Sequence, residues 1–107
     1  MNPSRIVDQS GADPATDGRT AAGYRALADP ARLAILQALS GGTRCVCELG
    51  PQLGLAQNLL SYHLRILREA GLVAGRRSGR RIEYEVRVDG LRELRDGLDR
   101  LARGAAT

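Results

Sequence analysis

Lysine, phenylalanine and tryptophan are absent from the 107 residues, histidine occurs once and cysteine twice. With aromatics at only 3%, all three of them tyrosine, the core must come from Leu, Ala, Val and Ile, a composition that suits packed helices. A single histidine, no lysine and no Gly-rich phosphate loop leave no catalytic constellation, and the chain reads as a non-enzyme. A thiol phosphatase or arsenate-reductase arrangement needs an arginine six residues after its cysteine, and Pro51 and Leu53 stand at those places. No run of about 18 apolar residues exists and no basic-then-apolar leader opens the chain, which reads as soluble and cytoplasmic with no membrane partner. The two cysteines, Cys45 and Cys47, are near neighbours, so a disulfide between them would close a very small ring and staple nothing. In a reducing compartment they are free thiols, open to catalysis, metal binding or plain packing.

All sixteen basic residues are arginine, whose planar forks suit phosphates and guanine edges. Their placement is uneven. Between Tyr62 and Arg81 lie Arg65, Arg68, Arg76, Arg77, Arg80 and Arg81 against the single acid Glu69. The rest of the chain holds ten arginines and eleven acids, so the formal net charge of +4 comes from that one stretch. Such a patch is the electrostatic footprint for a polyanion.

Residues 1–17 are polar and rich in Pro, Gly, Ser and Asp, and are expected to be a mobile tail ahead of one folded domain over residues 18–104. A first helix is expected from about Thr20, with Tyr24, Leu27 and Ala28 on one face. Asp29 is expected to cap a second, opened by Pro30, with Leu33, Leu36 and Leu39 at threefold spacing and a stop at Ser40-Gly41-Gly42. Thr43 can cap a short third helix holding Cys45 to about Leu53, and Gly54-Leu55 breaks it. A fourth helix, about Ala56 to Ala70, buries Leu60, Leu64 and Leu67 and ends at Gly71. Short helix, glycine turn, longer helix is a helix-turn-helix pattern. Leu72-Val73-Ala74 and Ile82–Val86 read as two strands joined through a Ser78-Gly79 turn. A last helix opens at Asp89, with Leu91, Leu94, Leu98 and Leu101 on one side. That face is expected to pack on a second subunit. The predicted class is mainly α with a small β-hairpin, in the order α-α-α-α-β-β-α: a winged helix-turn-helix.

Burying Leu60, Leu64 and Leu67 turns Gln57, Ser61, Arg65 and Arg68 outward, with Asn58 and Tyr62 beside them. Gln and Asn can pair with adenine through two hydrogen bonds, Ser and Tyr reach bases or phosphates, and the arginines suit the backbone. The N-terminal residues of a recognition helix meet the bases, here Gln57, Asn58, Ser61 and Tyr62. Arg76, Arg77, Arg80 and Arg81 surround the hairpin tip, where they could straddle a phosphate ridge or enter a minor groove, as a wing does. His63 faces the core and reads as a hydrogen-bonding packing residue.

Two residues apart on a regular helix stand about 200° apart around its axis, so Cys45 and Cys47 could share one ion only by distorting the helix start. Since the third helix braces the fourth, such a distortion is a plausible switch. The helix N-terminus and Arg44 are expected to favour the thiolates, which prefer soft ions.

The run Ala26-Leu27-Ala28-Asp29-Pro30-Ala31-Arg32-Leu33-Ala34-Ile35-Leu36, followed later by Leu60-Ser61-Tyr62-His63-Leu64-Arg65-Ile66-Leu67-Arg68-Glu69-Ala70-Gly71-Leu72-Val73, resembles the ArsR/SmtB family of metal-responsive winged-helix repressors. Arg44-Cys45-Val46-Cys47-Glu48-Leu49 is similar to the C-V-C-[DE]-L box of members that sense arsenite, antimonite, cadmium or lead. The resemblance implies a homodimer joined by the first and last helices, bound to a palindromic double-stranded DNA operator and released by an inducer, and it lends Cys45 and Cys47 the ligand role. The chain also departs from the family's patterns. Gly50 stands where some arsenite sensors have a third cysteine, residues 1–17 contain none, and no histidine follows Asp89 on the last helix. Two thiolates suit As(III) or Sb(III) better than zinc, which takes four ligands. Cd(II) or Pb(II), thiol oxidation, and a thiol metal-binding protein that does not bind DNA remain the alternatives, and no organic cofactor is implied.

Overall fold

The computed structural model describes residues 18–106, so the tail expected over residues 1–17 lies outside the described residues. Five helices and three strands follow in the order α1 (Gly18–Leu27), α2 (Pro30–Leu39), β1 (Arg44–Cys45), α3 (Val46–Leu53), α4 (Gln57–Glu69), β2 (Val73–Ser78), β3 (Arg81–Val86) and α5 (Val88–Ala106). The strands form one antiparallel sheet in the order β1-β3-β2. This is a winged helix-turn-helix with one strand more than the sequence pattern shows.

Local chemistry sets the helix boundaries. The Asp29 carboxylate accepts from the Ala31 and Arg32 amides at 2.8 and 3.3 Å, and Pro30, which lacks an amide N–H, fills the first helical position. α3 ends at Gly54 in the left-handed region at φ 68°, where an L side chain would be strained. Gly71, at φ 77°, turns the chain out of α4, and the Leu72 amide returns to the Leu67 carbonyl at 2.9 Å.

The core gathers Ile35, Leu36 and Leu39 of α2, Leu49 of α3, Leu60, Leu64 and Leu67 of α4, and Leu72, Val73, Tyr84 and Leu94 around them. Leu33 does not join it and stays 43% exposed. Steps of three residues drift by about 60° each on an α-helix, so Leu33 has rotated off the face that holds Leu39 and Ile35.

Two expectations need correction, the cap of α3 and the hairpin. Thr43 does not cap α3: Arg44 and Cys45 pair with Tyr84 and Glu83 of β3, which leaves Cys45 extended (φ −72°, ψ 146°) as the cap itself. The hairpin is longer than expected, because Gly75 to Ser78 join the ladder although all are exposed, and Ser78 pairs with Arg81. Its two loop residues are therefore Gly79 and Arg80, one position later than Ser78-Gly79, with the positive φ of 64° falling on Gly79. On α5, Leu94 is buried and Leu91 half-buried, whereas Leu98 and Leu101 are 55% and 69% exposed.

Candidate nucleic-acid interface and thiol site

The recognition face forms because α4 spends one side on the core. Leu60, His63, Leu64 and Leu67 are buried, and Gln57, Asn58, Ser61, Tyr62, Arg65 and Arg68 are all exposed. Tyr62 lies under the Arg65 guanidinium, 6.0 Å from the ring centroid, and meets the His63 ring edge to face at 5.1 Å. Arg76, Arg77, Arg80 and Arg81 are exposed on the wing, but only Arg80 occupies the tip.

An open groove of about 1050 Å³ lies between α4, the wing and the start of α3. It brings together Gln57, Ser61, Arg65 and Arg68 with Arg80, Arg81, Cys45 and Cys47. Asn58, Tyr62, Arg76 and Arg77 are outside it, so the predicted residues divide into a groove-lining set and a flanking set.

At the thiol site Cys45 precedes the helix rather than forming part of it, so the 200° separation of two helical positions does not apply. The extended backbone of Cys45 and the first turn of α3 bring the two side chains to one side: their Cα atoms are 5.2 Å apart and their sulfurs are joined in a disulfide. The Cys47 amide donates to Cys45 Sγ at 3.0 Å. No distortion of α3 is needed for the sulfurs to meet. Cys45 is buried and Cys47 exposed, which leaves one edge of the pair open to solvent. Arg44 is not their electrostatic partner, since side chains alternate along a strand and its guanidinium turns to the Thr43 carbonyl at 3.2 Å.

Two residues that the sequence reading passed over support this site. Glu48 closes a capping box, accepting from the Cys45 amide at 3.0 Å, and its same oxygen lies 3.8 Å from the Arg81 guanidinium of the wing. The Cys45-x-x-Glu48 spacing was the available signal, obscured because cysteine is not a usual cap residue. Arg32 braces α4 from behind: it donates to the Ala26 and Arg25 carbonyls at 2.8 and 3.3 Å and meets His63 Nδ1 at 3.2 Å. His63 is thus the packing residue expected. Asp89 pairs with Arg87 at 3.2 Å, and the described residues contain no cluster of three or more His, Cys, Asp or Glu able to hold a metal.

Residues 29–74, which run from the α2 cap through both helices of the helix-turn-helix to the start of the wing, match the model of the bacterial regulatory protein arsR family. The transcriptional repressor SmtB of Mycobacterium tuberculosis is 50% identical over 62 residues, 58% of this chain and 46% of that protein. The arsenical resistance operon repressor of Staphylococcus xylosus is 35% identical over 75 residues, 70% of this chain and 72% of that protein. The chain belongs to the ArsR family. Its fold is shared with a homodimeric winged helix-turn-helix DNA-binding domain from Mycobacterium bovis, at a TM-score of 0.65 and 32% identity, over 82% of this chain and 78% of that one. The matched segment spans about half the length of the SmtB relative. For this ArsR-family chain the described helices include none long and apolar enough to cross a membrane.

Proposed function

We propose that this chain is a homodimeric, cytoplasmic transcriptional repressor that binds an operator through α4 and the arginine wing, and is released when As(III) or Sb(III) bridges Cys45 and Cys47. The observation that carries this reading is that both sulfurs meet at the α3 cap, on the groove lined by Gln57, Ser61, Arg65 and Arg80. The N-terminal half of α4 offers Gln57, Asn58, Ser61 and Tyr62 to base edges, while Arg65 and Arg68 farther along it and Arg76, Arg77, Arg80 and Arg81 of the wing suit phosphates. Arsenite, as As(OH)₃, exchanges two hydroxyls for two sulfurs, and the thiol protons leave in two waters. The hydroxyl that remains, or a small thiol that replaces it, completes the trivalent metalloid, whereas zinc would lack half of its usual set. The arsenical repressor from Staphylococcus xylosus supports this choice, and the homodimeric domain from Mycobacterium bovis supports the dimer.

The test is fluorescence anisotropy of the reduced protein on the duplex upstream of its own reading frame, titrated with As(III), Sb(III), Cd(II), Pb(II) and Zn(II). Release by As(III) or Sb(III), abolished in Cys45→Ser and in Cys47→Ser, is the expected outcome. Release by Cd(II) or Pb(II) alone replaces the inducer, and no release by any ion removes it. The disulfide in the structure favours a second reading, in which a peroxide-class oxidant converts the two thiols to that bond and leaves as water. Release by oxidant without added ion, reversed by a dithiol reductant, would establish it.

A further inference from the structure

The capping carboxylate of α3 stands between the thiol pair and the wing. Glu48 Oε1 accepts from the Cys45 amide at 3.0 Å and lies 3.8 Å from Arg81, the first residue of β3. Cys45 is itself paired with Glu83 of the same strand. One carboxylate oxygen therefore holds the Cys45 amide by a hydrogen bond at the ligand site and stands in ion-pair range of the Arg81 guanidinium on the phosphate-binding hairpin. The connection from the Cys45 backbone runs through Glu48 to the wing, whereas the sequence alone pointed through α3 to the recognition helix.

We propose that Glu48 is the positioning residue that transmits occupancy of the thiol pair to the wing, a step that rests on the reading of Cys45 and Cys47 as the inducer site. In the structure Cys45 Sγ, bonded to Cys47 Sγ, accepts from the Cys47 amide, and the cap is closed. An arsenic held between the two sulfurs spreads them beyond bonding contact, which draws Cys45 Sγ off the Cys47 amide and turns the Cys45 amide away from Glu48. The carboxylate then pairs fully with Arg81 and withdraws that cation from DNA. One phosphate contact is lost per protomer, two per dimer. Exposed ion pairs are weak, with both partners here about half exposed, so the coupling is a two- to fivefold effect on affinity. Its signature is in salt dependence: losing two contacts lowers the slope of log affinity against log salt by about two.

The experiment uses the reduced full chain as parent, Glu48→Gln, Arg81→Gln and the double variant, with phenylarsine oxide as probe. This reagent bridges two thiols through two As–S bonds and releases one water, and the adduct is counted by mass. Glu48→Gln keeps an oxygen to accept from Cys45 and loses the charge, so its thermal midpoint and adduct stoichiometry are expected to match the parent. In the parent, adduct formation is expected to lower the salt slope by about two and to alter amide exchange across Arg81–Val86. Both changes are expected to shrink in Glu48→Gln, release weakening two- to fivefold, with no further loss in the double variant over Arg81→Gln. A parent-like slope change and parent-like wing exchange in Glu48→Gln overturn the proposal, as does failure of the parent to form the adduct. If arsenite and antimonite do not release the parent, the inducer reading falls alone. The phenylarsine adduct still decides the link: a wing response that needs Glu48 supports it, and an unchanged wing in the parent overturns it.

Discussion

Asp29 caps α2 with one carboxylate, held by the Ala31 and Arg32 amides. Burial alone would raise its pKa, but hydrogen bonds from the Ala31 and Arg32 amides, then the charges of Arg32 and His63, outweigh that and hold it below the ordinary 3.8. A carboxyl depressed by folding adds stability that is fully present above its unfolded value and is lost as pH falls through 3.8 toward the folded value. Asp29→Asn keeps the cap acceptor and removes the titration. Its thermal midpoint is therefore expected to lie somewhat below the parent's at neutral pH and to fall less steeply on acidification below pH 4. Parallel pH profiles for the two proteins would show that Asp29 does not contribute to the acid limb. The Asp29-Pro30 cap was legible in the sequence because its bonds reach only two and three residues along the chain. Cys45 was not legible: its extended backbone is fixed by Glu83, far along the chain, and without that pairing it reads as the first turn of a helix.

At the scale of elements, the joint between α4, β2 and α5 is held by backbone packed directly on backbone. The Arg87 amide donates to the Leu72 carbonyl at 2.8 Å, and a Cβ on Gly90 would run into the carbonyl oxygen of Gly71. Gly71 ends the recognition helix, so pushing α5 away there moves the scaffold of the reading face. Gly90→Ala is expected to cost about 1–3 kcal/mol in urea unfolding, despite alanine's better helix propensity, and to weaken DNA binding as well. Gly104→Ala in the same helix is the control, since nothing lies within 4 Å of a Cβ there and propensity should keep it neutral or slightly stabilising. Equal stability of the two variants would mean that the joint gives way freely. The buried stripe of α4 was readable from its period, and the recognition face followed as its complement. The wing was read short because Gly75, Arg76, Arg77 and Ser78 carry no apolar alternation; the ladder to β3 defines them as strand.

For the whole molecule, the unsolved surface in a single chain is α5. Gly23 and Tyr24 of α1 pack beneath Leu94, the Tyr24 hydroxyl donating to its carbonyl at 2.8 Å, and this contact leaves Leu98 and Leu101 with no core to enter. On the proposed dimer these leucines meet their symmetry mates, and the seam places two α4 helices and two wings on one duplex. Leu98→Glu with Leu101→Glu is expected to give a monomer in sedimentation equilibrium with parent helix content, because neither side chain supports the core of its own chain. The DNA consequence follows from charge. The dimer's affinity falls with salt in proportion to the phosphates it neutralises, so a monomer bearing one wing should show about half the parent's slope and bind far more weakly at physiological salt. A variant that remains dimeric would move the seam off α5. A monomer that retained the parent's slope would mean that one arginine patch makes every phosphate contact and the second protomer supplies none.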